Sequence, residues 1–336
     1  MSHLLDIING KASFARMADT ESAWHGLGQI ITPNMSVEEM QETSQVNYEV
    51  AKTANFHICP TTGEMIQAND FAMVRKEIGD HKTQFTGLKF ANVSEQYQPV
   101  QPHTIVKFFH DLAKKYDLQI DTIGALKGGR KIWAMAKMGD SFTLAGGDTV
   151  DQYCLLSTSY DKTMATRIGF TSVRVVCNNT LQYAIGKDGK SFISVPHSTA
   201  FDAEKVKMDL GIVANGWSNF SQIANELSNV KLSDKQALRW LVDIFEEKDF
   251  EIDKLSTRKT NVIKSVYDKY KGQGIGSSLV SADGTAWGLV NAITEHYDHD
   301  YGRNDENRFS ASQFGIGATA KDAALEYITE TLELTS

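Results

Sequence analysis

Apolar and polar residues alternate with a period of two through much of the chain before Pro196, as expected for β-strands. The alternation predicts strands at residues 48–52, 55–59, 70–76, 118–126, 130–138, 149–157 and 166–177, with a hairpin turn at residues 60–63. An amphipathic helix interrupts this series at residues 103–116, where apolar side chains return at helical spacing. A short helix is predicted at residues 36–43, because Ser36 and Glu39 form a capping box. Another short helix is expected to start at Asn178 or Asn179 and to end at Ala184.

After Pro196 the apolar period lengthens to that of α-helices. Helices are predicted at residues 201–227, 233–247, 257–271, 285–297 and 319–334. Ser233 and Gln236 form a capping box at the start of the second of these. The sequence therefore predicts an α+β fold: a mostly antiparallel sheet with an embedded helix in the N-terminal half, followed by a helical C-terminal half.

This change of pattern also predicts the domain organisation. We expect a loop-rich N-terminal segment at residues 1–45 and an α+β domain at residues 46–197. A helical region at residues 198–336 is expected to pack on or beside that domain. With 336 residues, the chain is long enough to form more than one core.

Composition and charge narrow the class of protein. With 41% hydrophobic and 23% charged residues the chain is of ordinary globular composition, and its net charge of -8 excludes a protein that is basic overall. A local basic patch remains compatible with that charge. No stretch approaches the roughly 18 apolar residues of a membrane span, and the N-terminus lacks a signal peptide. Since Cys59, Cys154 and Cys177 form no paired motif, we expect a cytoplasmic protein that makes no membrane contact.

The candidate binding residues are cations set into strand-like sequence joined by glycines. Lys131, Trp133 and Lys137 share one face of a strand at residues 130–138, so two cations flank an indole on which an unpaired base could stack. Arg167 and Arg174 face opposite sides of their strand, so at most one of them joins this surface. The predicted nucleic-acid-binding residues are Lys127, Arg130, Lys131, Trp133, Lys137, Arg167 and Arg174. The alternative is a solvated sheet face whose lysines protect an edge strand from aggregation.

A metal site is a second candidate, at the end of the helix predicted at residues 285–297. His296, Asp298 and His299 lie there, with Asp305 and Glu306 close behind, and imidazole and carboxylate groups suit zinc, manganese or iron. Their spacing matches no established metal motif, however, and a helix end that leads into a polar loop explains the same residues. No cofactor and no catalytic residue is therefore expected, with a metal ion kept as the alternative.

Four motifs together resemble a known family. They are residues 24–28 (WHGLG), 124–130 (GALKGGR), 174–181 (RVVCNNTL) and 285–299 (TAWGLVNAITEHYDH). In order and spacing they resemble the phage/plasmid-like protein family, domain of unknown function 932, over about residues 20–330. The resemblance implies a protein carried by bacteriophages, prophages or plasmids, and it implies no catalytic residues. A strand-rich half with an embedded helix is also loosely similar to the phage single-strand annealing recombinases.

These features favour a non-enzymatic protein of a mobile element that binds single-stranded DNA. In this hypothesis it promotes the annealing of strands during recombination and works as a homo-oligomer. Two alternatives stay open. One is a metal-dependent enzyme acting on nucleotides or nucleic acid, and the other is an anti-defence protein that binds a host protein through its helical half.

Overall fold

This computed structural model describes residues 6–18, 28–116, 118–174, 176, 179–182, 192–206, 216–245, 257–302, 308, 311–312 and 315–334. Within these ranges the predicted α+β architecture is confirmed. Strands dominate the N-terminal part, one long helix is embedded among them, and helices are concentrated in the C-terminal half.

The strands form three sheets. Their bounds are β1 (Ile7–Ile8), β2 (Lys11–Ala12), β3 (Phe14–Met17), β4 (Gln29–Ile31), β5 (Tyr48–Ile58), β6 (Met65–Glu77), β7 (Lys89–Val93), β8 (Gln119–Leu126), β9 (Lys131–Leu144), β10 (Asp148–Ser159), β11 (Thr166–Arg174), β12 (Asn179–Gln182) and β13 (Phe192–Val195). The main sheet has the order β12-β11-β10-β9-β8-β3-β4, with β13 also paired to β11. A separate sheet has the order β5-β6-β7, and β1 pairs with β2. The β3–β4 pair is parallel, while β8 runs antiparallel to both β3 and β9.

Two of the described helices begin where a capping box predicts. Their bounds are α1 (Val37–Thr43), α2 (Pro102–Tyr116), α3 (Gly216–Asn229), α4 (Asp234–Phe245), α5 (Thr257–Asp268), α6 (Ala286–Glu295) and α7 (Ile316–Thr331). Before α1, Ser36 Oγ accepts from the amide of Glu39, and the Glu39 carboxylate accepts from the amide of Ser36. Ser233 and Gln236 make the same reciprocal bonds before α4. No helix in the described ranges combines the length and apolar character needed to cross a bilayer.

Three predicted elements differ in the structure. Residues 179–182 form the strand β12, where the sequence predicts a helix. They are extended because their backbone pairs with β11, a long-range contact that local propensity does not include. The strands predicted at 48–52 and 55–59 are one strand, β5, with a bulge between Ala54 and Phe56. The helix predicted at 201–227 is described as α3 over its last part, and residues 207–215 lie outside the described ranges.

The chain forms two compact units. The first comprises Met1–Gly139, Tyr153–Gly169 and Phe192–Gly211, and the second comprises Asp140–Gln152, Phe170–Ser191 and Ile212–Ser336. The sheet β5-β6-β7 and the helices α1 and α2 belong to the first unit, while α3 to α7 belong to the second. Strands β9, β10 and β11 contribute residues to both units.

A buried carboxylate anchors the helix α6 in the second unit. Asp148 Oδ2 accepts from Ser281 Oγ at 2.6 Å and from the indole nitrogen of Trp287 at 3.2 Å. Beside it, a Cβ on Gly288 would lie 1.9 Å from the carbonyl oxygen of Ala282, so only glycine permits this approach. These contacts explain why tryptophan and glycine stand next to each other in the motif at residues 285–299.

In the first unit, three side chains hold the turn between β8 and β9 from different directions. The Asp6 carboxylate accepts from the amide of Gly128 at 2.6 Å, and Arg75 Nη1 donates to the Gly128 carbonyl at 3.0 Å. The Tyr48 hydroxyl donates to the Gly129 carbonyl at 3.0 Å. We call Asp6, Tyr48 and Arg75 the turn clamp. It fastens the main sheet to the sheet β5-β6-β7 through the backbone of one turn.

The packing around the turn leaves no space for a side chain at either glycine: a Cβ on Gly128 would lie 2.6 Å from the Leu88 side chain. Both glycines have positive φ, of 70° at Gly128 and 95° at Gly129. A Cβ on Gly129 would lie 2.7 Å from the Tyr48 ring and 3.1 Å from Arg75 Nη1. The Gly-Gly sequence is therefore required by packing as well as by backbone conformation.

We predict that Gly129→Ala destabilises the protein far more than Gly63→Ala. Both positions have positive φ, which costs an alanine about 1 kcal/mol, but a Cβ on Gly63 meets no atom within 4 Å. The clash with the turn clamp should add about 1–3 kcal/mol at Gly129. Urea unfolding of the two variants measures the difference. Equal losses of stability would mean that the clamp yields without cost.

Candidate nucleic-acid interface

The turn between β8 and β9 carries the first group of predicted cations. Lys127 has a φ of 58°, and its carbonyl accepts from Arg130 Nη1 at 3.2 Å. Arg130 Nη2 donates to the carbonyl of Lys89 at 3.2 Å, and its guanidinium lies over the Phe90 ring at 6.0 Å. Arg130 is therefore oriented by two backbone carbonyls, and it also interacts electrostatically with the carboxylate of Asp6.

The turn between β10 and β11 lies at the same end of the main sheet. The amide of Tyr160 donates to the carbonyl of Arg130 at 2.8 Å, which joins the end of β10 to the start of β9. Two residues further on, Lys162 is exposed and has a φ of 62°. The hydroxyls of Thr158 and Thr166 lie 2.8 Å apart, so the first residues of β11 flank the last residues of β10. Arg167, the second residue of β11, is exposed.

These contacts place six cations at or beside one end of the main sheet. We call them the basic end: Lys89, Lys127, Arg130, Lys131, Lys162 and Arg167. Lys89, Lys162 and Arg167 are exposed, and the other three are half-buried. Two carboxylates, Asp6 and Asp161, lie among them. Asp161 caps its own turn by accepting from the amide of Thr163 at 3.1 Å, and burial raises the pKa of Asp6. The basic end is therefore locally cationic within an acidic protein.

Two predicted residues lie away from the basic end. Lys137 is six residues beyond Lys131 along β9, which corresponds to roughly 20 Å of strand. Arg174 is the last residue of β11 and belongs to the second unit. The structure therefore brings Lys127, Arg130, Lys131 and Arg167 together but not Lys137 or Arg174.

The prediction that Trp133 offers an exposed indole is wrong. Its side chain is 2% exposed, packs 6.0 Å from the Phe14 ring, and lies over Gly124, where a Cβ would come within 2.4 Å of the indole. Both neighbours along β9, Ile132 and Ala134, are also buried. This strand is covered on both faces, so Trp133 belongs to the core and a base cannot stack on it.

Sequence reasoning missed two members of the basic end, Lys89 and Lys162. Lys162 could have been found, because consecutive strands joined by short turns place every second turn at the same end of a sheet. Between the turns 127–130 and 160–165 there is one other turn, which joins β9 to β10 at the opposite end of the sheet. Lys89 carried no comparable signal, since its position depends on the packing of β7 against the turn after β8.

The three candidate metal ligands lie on a π-helical turn, His296–Asp300, where His296 and Asp298 contact different helices. His296 is buried, and its Nδ1 lies 3.0 Å from Ser265 Oγ of α5. Asp298 is bound by the buried ammonium of Lys321 at 2.7 Å, and Ser312 also donates to it. His299 is half-buried. An ammonium on Asp298 opposes the binding of a second cation there.

The described residues contain no group of three His, Cys, Asp or Glu side chains placed to hold a metal ion. Asp305 and Glu306, which the sequence adds to this candidate site, lie outside the described residues, as does most of the motif at 24–28. The metal site therefore stays a prediction, for which the geometry of His296 and Asp298 offers no support.

His296 gives this turn a pH dependence. Burial lowers its pKa from the ordinary 6.5, and Lys269 adds to that effect while Asp300 opposes it. Its Nε2 is buried and has no hydrogen-bond partner in the described part of the chain, so protonation would place a charged N–H where no acceptor receives it.

We predict that acidification below pH 6.5 destabilises the wild-type protein relative to His296→Gln. The unfolded chain takes up a proton at His296 before the folded chain does, so stability is lost as the pH falls through 6.5. The extra slope is at most about 1.4 kcal/mol per pH unit for one proton. Urea unfolding of both proteins between pH 5 and 8 measures it. Parallel stability curves would show that His296 is protonated equally well in both states.

Comparison with known proteins adds one identification. No curated protein and no solved structure matches the chain. A family model, described as Domain of unknown function (DUF932), matches residues 89–313, which is more than half of the sequence. That range includes the turn between β8 and β9, the strand β11 and the helix α6, and thus three of the four motifs on which the resemblance rests. The protein belongs to the DUF932 family.

Proposed function

We propose that this protein binds single-stranded DNA through the basic end, as a non-enzymatic component of recombination in a mobile element. The supporting observation is the convergence of four predicted cations with Lys89 and Lys162 on one end of a sheet. Six cations at strand ends form a local positive surface despite the net charge of -8. Phosphates are the ligands that such a surface attracts most strongly.

The geometry favours a single strand over a duplex. The basic end consists of turns and strand ends, and it presents neither a helix nor a two-stranded ribbon of the kind that enters the major groove. A flexible single strand can bend so that successive phosphates meet cations on neighbouring turns. Because Trp133 is buried, phosphate contacts rather than stacking on that indole carry the affinity. Binding should therefore be insensitive to base sequence and steeply dependent on salt.

Arg130 and the two lysines with positive φ contribute differently. Arg130 is held by two carbonyls, so replacing it would disturb the turn as well as remove a charge. Lys127 and Lys162 occupy left-handed backbone, which asparagine tolerates well. Asparagine at those two positions removes charge without adding backbone strain.

We predict that Lys127→Asn combined with Lys162→Asn weakens binding to a labelled oligothymidine and flattens its salt dependence. Losing two phosphate contacts should reduce the slope of log Kobs against log salt by about 1.4. Fluorescence anisotropy over a range of salt concentrations measures the slope, with a duplex of equal length for comparison.

The matched control is Lys235→Gln combined with Lys264→Gln. Both are exposed lysines of the second unit, so this variant makes the same change in net charge. It should retain the wild-type slope. If both double variants lost affinity equally, the loss would come from the change in net charge and not from the basic end. If the wild type did not bind at low salt, the proposal would be refuted.

A further inference from the structure

The hairpin of β5 and β6 ends in a largely exposed surface with several apolar side chains. We call residues 55–69 the hairpin tip. Ile58 and Met65 face each other across the strands and are each 71% exposed, and Phe56 lies two residues from Ile58 on the same face with 49% exposure. Ile66, opposite His57 on the other face, is 42% exposed. Apolar side chains are thus exposed on both faces of the tip.

The backbone edges of the hairpin tip are open as well. β7 pairs with β6 only from Phe71 to Val74. Within the described residues, no strand pairs with the outer edge of β6, the side away from β5, at residues 65–70. On the other side, the β5 edge is closed only near its start, where the Gln101 amide exchanges two hydrogen bonds of 2.9 Å with the backbone of Val50. Open edges beside exposed apolar side chains favour the addition of another strand.

The charge of the hairpin tip decides what kind of partner fits. Its fifteen residues carry one formal charge at neutral pH, that of Glu64. A surface without cations attracts neither phosphates nor anionic lipid headgroups. Its complement is another uncharged, apolar protein surface that also offers strand edges.

We infer that the hairpin tip is the surface through which two copies of this chain associate. A second copy offers the same low charge, the same apolar side chains and the same open edges, and a two-fold axis can set one open edge of the tip beside the same edge of its partner. A specific interface needs about 600 Å² from each copy. We expect the hairpins to lie side by side, because that arrangement buries the apolar side chains together with one backbone edge of each tip. This inference does not depend on the proposed DNA binding.

The test is the oligomeric state of the full chain and of Ile58→Lys combined with Met65→Lys. Sedimentation velocity over a wide concentration range should show a monomer–dimer equilibrium for the wild type. Two buried ammonium groups per hairpin should raise the dimer Kd roughly tenfold or more. Both positions are exposed in the monomer, so circular dichroism and the unfolding temperature should stay unchanged.

The matched control is Ile275→Lys. Ile275 is a half-exposed isoleucine of the second unit, so it tests whether any new lysine on an apolar surface position weakens association. It should associate like the wild type. A wild type that is monomeric at every concentration would overturn the inference and point to a different protein as the partner of the tip. Equal association of wild type and double variant would overturn it too.

Discussion

The buried ion pair of Arg75 and Glu77 is the constraint on which the first unit depends. The two side chains are 2% and 4% exposed and meet at 2.7 Å, and the Arg75 guanidinium also lies 4.1 Å above the Tyr48 ring. Removing one partner of such a pair leaves an uncompensated buried charge, at a cost of about 3–5 kcal/mol. Because the same guanidinium also binds the Gly128 carbonyl, the pair fixes both β6 and the turn after β8. The basic end and the hairpin therefore share one anchor.

That anchor explains how an acidic protein keeps a cationic surface in one place. Of the carboxylates near the turn, Glu77 pairs with Arg75, and Asp6 accepts from the amide of Gly128 while it also interacts electrostatically with Arg75 and Arg130. Arg130 is bound by carbonyl oxygens, which orient the guanidinium but carry no formal charge to cancel it. A rigid cation loses less conformational entropy on binding a phosphate than a mobile one does. In the proposed interface, the preorganisation of Arg130 would add to the effect of the neighbouring cations.

Much of the fold follows from local rules, and the candidate site follows from them only in part. The helix starts at Ser36 and Ser233 and the strand spacing up to β11 were predictable, because caps and periodicity act within a few residues. The burial of Trp133 was not, since the prediction assumed one solvated face for β9. That face is covered because Gly124, directly opposite on β8, leaves space for the indole. The glycine was visible in the sequence, and its place opposite Trp133 follows from the register that the short turn sets. The side chains that cover this face, such as Phe14, come from β3, which is distant in sequence.

The β5–β6 hairpin is held at its base by the Arg75–Glu77 pair, while its other end extends beyond β7. The strands have 11 and 13 residues, whereas β7, their third partner, has five. An isolated two-stranded ribbon is only marginally stable in water, so the part beyond β7 depends on the clamped base for its stability. Evolution commonly shortens or charges such edges to prevent unwanted pairing. Here the extension is long, nearly uncharged and apolar, so these protections are absent where the strands are most exposed. An edge of that kind is stable in a folded protein when it has a partner.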